Sequence, residues 1–145
     1  MNTYDVYLLS SAGMPRNHHA LLVETNHPVT GAGHIYQVTG NIQNGMKFED
    51  KPSARPTEED PTFISKFRIG FVAEETYRTT CRDVCLSIEV PKKQFDGPKR
   101  LFPYRPLRRC QEWTEDAIRT LTERGVLSGH DMEKSTDKGL ETEPI

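Results

Sequence analysis

The sequence lacks the marks of a membrane or secreted protein. It has no apolar run close to the roughly 18–20 residues that a membrane-spanning helix needs. Its N-terminal segment has neither the basic region nor the long apolar region of a signal peptide. The three cysteines, Cys81, Cys85 and Cys110, are an odd number and too few for a disulfide framework. We therefore expect a soluble, cytoplasmic protein with reduced thiols and no membrane span.

Several common site patterns are missing as well. The net charge of −2 gives no general attraction toward nucleic acid, and no nucleic-acid recognition motif is present. There is no glycine-rich phosphate loop and no Gly-x-Ser-x-Gly elbow. Cys81 and Cys85 have no second cysteine pair nearby, and the adjacent His18 and His19 cannot both bind one ion from a regular strand. We predict no metal, no cofactor and no nucleic-acid partner.

The length and composition indicate one domain followed by a tail. A chain of 145 residues is close to the usual size of one domain. Residues 131–145 (DMEKSTDKGLETEPI) are strongly charged and show no periodicity. Such a segment cannot bury enough apolar surface to offset the entropy lost on ordering. We predict a single domain over residues 1–130 and a disordered C-terminal tail over residues 131–145.

The hydrophobic patterns predict an α+β domain, a small antiparallel sheet with helices packed on it. Residues 50–61 contain three prolines and several acidic residues, which predicts a surface loop. The strand that begins near residue 17 has apolar residues on both faces, so it should be central and covered on both sides. The predicted strands are Tyr4–Leu9, Asn17–Glu24, His34–Thr39 and Lys66–Val72, and the predicted helices are Glu74–Leu86 and one from Cys110 to Gly125.

Cys110 lies where a thiol becomes reactive. The helical pattern places it in the first turn of the second predicted helix, where unpaired N–H groups and the helix dipole favour an anion. From Glu89 to Cys110, with both ends included, the sequence has seven basic residues and only two acidic ones. Such surroundings can lower the pKa of a thiol below its usual value of about 8.5. The alternative is a buried structural cysteine, and Trp113, one turn later on the apolar face, is a predicted core residue.

A thiolate nucleophile needs a general base, and the base needs a residue that orients it. His18 and His19 open a predicted strand and point to opposite faces, so only one of them can face Cys110 from the sheet. Gln37, on the strand expected to pair with it, could hold the second imidazole nitrogen. The alternative is that the two histidines are simply a solvated strand end.

Three segments together carry a family resemblance. They are His18 with Ala-Leu-Leu-Val at 20–23, Ile-Tyr-Gln-Val-Thr-Gly at 35–40, and Cys-Gln-x-Trp at 110–113. This set resembles the circularly permuted branch of the NlpC-type papain-like superfamily, which contains lecithin retinol acyltransferase and the HRAS-like acyltransferases. The similarity extends from about Tyr4 to Leu127 and is greatest to small uncharacterised fungal members.

The resemblance implies a permuted papain-like core with named roles. Cys110 would be the nucleophile, His18 the general base and Gln37 the orienting residue, at a position where relatives often have His. An amide orients an imidazole but carries no charge. His19 stands where a large aromatic residue is common, and Arg109 stands where Asn often precedes the cysteine.

These residues predict a cysteine-dependent hydrolase or acyl/amide transferase that works through a thioester. The basic stretch predicts a small, soluble, anionic molecule or a peptide as substrate, with His19, Arg108 and Arg109 as substrate-binding residues. A tailoring step in a fungal biosynthetic pathway would fit, by family analogy alone. The alternative is a non-catalytic binding domain that retains the fold.

Overall fold

The computed structural model describes residues 2–129, and its main feature is one antiparallel sheet. The strands are β1 (Thr3–Ser11), β2 (His18–Glu24), β3 (Gly33–Asn41), β4 (Gly45–Ser53) and β5 (Phe63–Ala73). They lie in the order β4-β3-β2-β1-β5. The predicted α+β class is confirmed.

Shorter elements complete the chain. A 3-10 turn, Thr57–Glu59, precedes β5, and a π-helical turn, Tyr77–Cys81, runs directly into helix α1 (Arg82–Ser87). A two-residue hairpin, β6 (Phe95–Asp96) and β7 (Lys99–Arg100), lies in the basic stretch before helix α2 (Cys110–Glu123). Gly125 follows α2 with a φ of 74°, a left-handed conformation that glycine adopts readily and that ends the helix.

Strand β2 is central and apolar on both faces, as its sequence predicts. Leu21 and Val23 point to one side of the sheet and belong to the main core, together with Trp113 of α2. Ala20 and Leu22 point to the other side, into a smaller cluster with Ile35. All four β2 side chains are buried, so the sheet is covered on both sides of β2.

Helix α2 packs across one face of the sheet through its apolar side. Trp113 has no exposed surface, and its ring lies 5.8 Å from the ring of Phe48 on β4. Ala117 and Leu121 continue the same side of the helix and are also buried. The prediction that Trp113 is a core residue is confirmed.

The prediction of a loop over residues 50–61 is wrong for its first part. Residues 50–53 are the second half of β4, which pairs with β3 along its whole length. In β4 only Met46 and Phe48 pack on the core. The alternation of apolar residues is therefore short, and charged residues follow it, so the sequence pattern did not indicate a strand. Pro52 is tolerated because β4 lies at the edge of the sheet.

The predicted helix over Glu74–Leu86 begins later than expected and is irregular. Residues 74–76 form a turn, and regular α-helix begins only at Arg82 after the π-helical turn. Cys81 and Cys85 are both buried there. Helical periodicity locates the apolar face of such a segment, but it does not distinguish one helical hydrogen-bonding pattern from another.

The predicted tail, residues 131–145, lies outside the described residues. Within residues 2–129, no helix combines the length and the apolar character that crossing a membrane requires.

Candidate active site

The candidate site lies where β2 and α2 both begin. Cys110 is the first residue of α2 and is half-buried. The Glu112 side chain accepts a hydrogen bond from the backbone N–H of Arg109, at 2.7 Å, which closes the first turn of the helix. The same Glu112 oxygen lies 2.6 Å from the Arg16 guanidinium. The helix start is therefore fixed in place next to the residues that precede β2.

Two further hydrogen bonds hold α2 against the start of β2. The side-chain amide of Gln111 donates to the backbone carbonyl of Asn17, at 3.0 Å. The Thr114 hydroxyl lies 3.3 Å from the carbonyl of His19 and 2.7 Å from the carbonyl of Cys110. Because these contacts lie on either side of His18, they fix its backbone relative to Cys110.

The His18 ring lies between the Cys110 thiol and Gln37. The ring and the thiol interact closely enough that each shifts the pKa of the other, and the ring Nε2 lies 2.7 Å from Gln37 Oε1. Gln37 Nε2 in turn donates to Glu49 Oε1, at 2.7 Å. A carboxylate only accepts hydrogen bonds, so this contact determines which end of the Gln37 amide faces His18. His18 Nε2 then carries the proton, and Nδ1 is left to exchange a proton with the thiol.

The two central groups shift each other's titration toward the charged forms. The hydrogen bond to Cys110 raises the pKa of His18 against the opposing effect of its burial, and the Gln37 contact adds to the increase. Burial raises the pKa of the Cys110 thiol, but hydrogen bonds from His18 and from the backbone N–H of His19 outweigh it and lower that pKa. Arg16 contributes to the lowering through its positive charge. A lowered thiol pKa and a raised imidazole pKa are the shifts that a nucleophile–base pair needs.

Helix α2 does not cover the face of the sheet that carries His18. It packs on the Leu21 and Val23 side, whereas His18 is in register with Ala20 and Leu22 on the opposite side. The strand face by itself therefore does not explain how His18 meets Cys110. His18 reaches the thiol because both residues are the first of their elements, so they meet at the end of the sheet.

Two openings flank the His18 ring. The larger is a groove of about 820 Å³ on the Ala20 side of the sheet, lined by Leu9, His18, Ile35, Gln37, Lys51 and Phe63 among others. The smaller is a cleft of about 270 Å³ that includes Arg16, Asn17, His18, Asn41, Arg109 and Cys110. Cys110 lines the small one, and His18 lines both. We call them the large groove and the small cleft.

The three predicted substrate-binding residues, His19, Arg108 and Arg109, lie in different surroundings. Arg109 lines the small cleft beside Cys110. His19 is only 6% exposed and contributes to the site through its backbone. Arg108 lies 2.6 Å from Asp116 and borders a separate small pocket with Gln94. Of the three, only Arg109 lines the cleft that Cys110 also lines.

Glu49 is the residue of the site that sequence reasoning missed. It lies directly opposite Gln37 in the β3–β4 register, the position at which cross-strand side chains meet. The sequence signal for this strand was the alternation of charged and apolar residues, with Lys47, Glu49 and Lys51 on one face and Met46 and Phe48 on the other. Without β4 as a strand, nothing linked Glu49 to Gln37.

Within residues 2–129, no group of three or more His, Cys, Asp or Glu side chains is arranged to hold a metal ion. The groups that the protein itself brings to the site are a thiol with a lowered pKa, an imidazole that contributes to that lowering, and the backbone N–H of Cys110 at the start of a helix, which has no acceptor within the helix.

Comparison with known protein families identifies the family of this chain. A family described as a family of unknown function (DUF6540) matches residues 6–128, a range that includes His18, Gln37, Glu49 and Cys110. No curated protein and no solved structure matches the chain.

Proposed function

The chain belongs to the DUF6540 family of unknown function, and from its site we propose a cysteine-dependent hydrolase or acyl/amide transferase that forms a thioester intermediate. One observation carries the proposal. Cys110 stands at a helix start and shares a cleft with His18, the two groups shift each other's pKa toward the charged forms, and His18 Nε2 is held by the Gln37 amide. These are the nucleophile, base and orienting group of thiol catalysis. The resemblance to the permuted papain-like branch assigns the same three roles.

The proposed reaction has two halves. The Cys110 thiolate attacks the acyl carbon, the new C–S bond forms, and the carbonyl electron pair moves onto oxygen. As the oxyanion collapses, the bond to the leaving group breaks and His18 gives that group its proton. Water or an acceptor then attacks the thioester while His18 removes its proton, and the C–S bond breaks to restore the thiolate. General acid–base catalysis of this kind contributes about 10²–10⁴-fold.

The charges beside the thiol favour an anionic acyl group. Arg109 and Arg16 line the small cleft together with Cys110. Arg16 is already paired with Glu112, so Arg109 is the cation better placed to meet a substrate carboxylate or phosphate. We propose a small soluble ester, thioester or amide that carries such a group near its reacting carbonyl.

The test is the pH dependence of Cys110 alkylation. Iodoacetamide is applied between pH 5 and 9, and mass spectrometry of the peptide that contains Cys110 gives the rate. We expect an apparent pKa below about 8.5, the value of a free thiol, and a shift toward that value in His18→Ala. His27→Ala, which removes an exposed loop histidine, is the matched control and should leave the profile unchanged. The buried Cys81 and Cys85 report any unfolding, because they react only when the core opens.

A second measurement tests the intermediate. Incubation with a small activated ester should add one acyl group to Cys110, seen as a mass increase that Cys110→Ser abolishes. If the alkylation rate of Cys110 follows the pH dependence of a free thiol in both the parent protein and His18→Ala, the catalytic pair is refuted. The alternative prediction, a non-catalytic binding domain with this fold, would then be the better interpretation.

A further inference from the structure

The hydrogen bonds of the site continue one residue beyond the orienting amide. Gln37 is 7% exposed, and both ends of its side-chain amide are used, one by His18 and one by Glu49. Both contacts are 2.7 Å long. Glu49 is a carboxylate whose side chain is 43% exposed at the rim of the sheet, and the oxygen that accepts from Gln37 also lies 3.9 Å from Lys51 Nζ.

We propose that Glu49 is a positioning residue of the active site, which fixes the orientation of the Gln37 amide and supplies a negative charge that favours the protonated His18 ring. The inference rests on the proposed function, because it assigns Glu49 a role in that site. An amide has two nearly equivalent orientations, and only one of them presents its oxygen to His18. The Glu49 carboxylate selects that orientation, since it would repel the amide oxygen and attracts the NH₂ group.

The negative charge of Glu49 also compensates for the lack of charge on the Gln37 amide. Gln37 orients the ring but cannot balance the charge of an imidazolium. Two short hydrogen bonds place a carboxylate in line behind the amide, and bonds in such a series polarise one another. The pair of Gln37 and Glu49 thus combines the orientation and the charge that a single ionised partner would give.

Other charges face the same ring and must be separated from the effect of Glu49. Lys51, also on β4, lies 3.9 Å from Glu49 and disfavours the protonated ring. The Cys110 thiolate favours it from α2. Glu59 and Asp60 line the large groove near the 3-10 turn. Arg16 acts on the thiol rather than on the ring.

The decisive experiment is an NMR titration of the His18 ring in a Cys110→Ser background, where the thiol no longer titrates. Glu49→Gln keeps the size and an acceptor oxygen but removes the charge. A unit charge about two hydrogen bonds away, in partly exposed surroundings, changes an imidazole pKa by about 0.5–1. We therefore expect Glu49→Gln to lower the pKa of His18 by about that amount, and Lys51→Gln to raise it.

Glu59→Gln is the matched control, since it removes a carboxylate charge from the large groove, which His18 also lines, without a bond to Gln37. Its effect should be less than half that of Glu49→Gln. Equal shifts in Glu49→Gln and Glu59→Gln, or no shift in either, would overturn the proposal. Circular dichroism and the melting temperature of each variant confirm that the sheet is intact, which the edge position of β4 favours.

The orienting role has its own measurement in the protein with Cys110 intact. Glu49→Leu leaves the Gln37 NH₂ group without its partner, so the amide can rotate away from the productive orientation. Cys110 alkylation at pH 6–7 should fall about 3–10-fold, and further than in Glu49→Gln. If His18→Ala changes alkylation but neither Glu49 variant does, the proposed function stands and the role of Glu49 is refuted. If none of the three changes it, both are refuted.

Discussion

Replacement of Trp113 by Ala should remove a large part of the stability of this domain. Trp113 is fully buried between α2 and the sheet and packs on Phe48. A buried tryptophan removes about 150–250 Å² from water, which corresponds to about 4–6 kcal/mol at 25 cal/mol/Å². Large-to-small replacements of this kind cost about 3–5 kcal/mol in practice. A domain of this size has about 5–15 kcal/mol in total, so the variant should fold only marginally.

Urea unfolding followed by far-ultraviolet circular dichroism measures the loss. With a slope of about 1.5 kcal/mol/M, the midpoint should fall by about 2–3 M. Trp113→Phe is the second variant and keeps most of the ring contacts. The indole N–H is buried without a hydrogen-bond partner among the described residues, so Phe also removes an unsatisfied donor and should cost only about 1–2 kcal/mol.

Leu86→Ala is the matched control, because Leu86 is 47% exposed and its loss should change stability by about 0.5 kcal/mol or less. Trp113 is the only tryptophan in the chain, so the fluorescence of the parent protein reports its environment directly. A water-like emission maximum, or a loss below about 1 kcal/mol in Trp113→Ala, would refute the packing of α2 described here.

Two further predictions concern charge and chain length. Burial of Asp50 raises the pKa of its carboxyl group, but hydrogen bonds from His34 and Arg82 outweigh this effect and lower that pKa. The ionised carboxylate therefore stabilises the fold above about pH 4. This stabilisation is lost as the pH falls through the lowered pKa of Asp50 in the folded protein. Asp50→Asn should therefore cost about 1–3 kcal/mol at pH 7 and progressively less as the pH is lowered below about 4, and a pH-independent difference in urea midpoints would contradict this. Deletion of residues 131–145, predicted as a tail from composition, should change the unfolding free energy by less than about 1 kcal/mol.

The sequence predicts the elements with a strong hydrophobic period. Strand β2 has apolar residues at every position from 20 to 23, and α2 repeats its apolar residues at helical spacing up to a glycine. Both elements are found where they were expected. These two elements also carry Cys110 and His18, so the main pair of the site follows from local patterns and the family resemblance.

The parts that sequence reasoning missed depend on which segments become neighbours. Periodicity shows that His18 and His19 point to opposite faces, but it does not show which face α2 covers. The helix covers the side of Leu21, and the thiol still reaches His18 at the end of the sheet. Glu49 was missed for the same kind of reason, because its contact with Gln37 exists only in the register of two paired strands.

That register is fixed by the core rather than by the site. A slip of one residue in β4 would exchange the two faces of the strand. Phe48 would leave its contact with Trp113 for the large groove, and Glu49 would enter the apolar side under α2. Burying an unpaired carboxylate while exposing a phenyl ring is strongly unfavourable. The packing of Phe48 on Trp113 therefore holds Glu49 opposite Gln37, and with it the chain of contacts that leads through His18 to the Cys110 thiol.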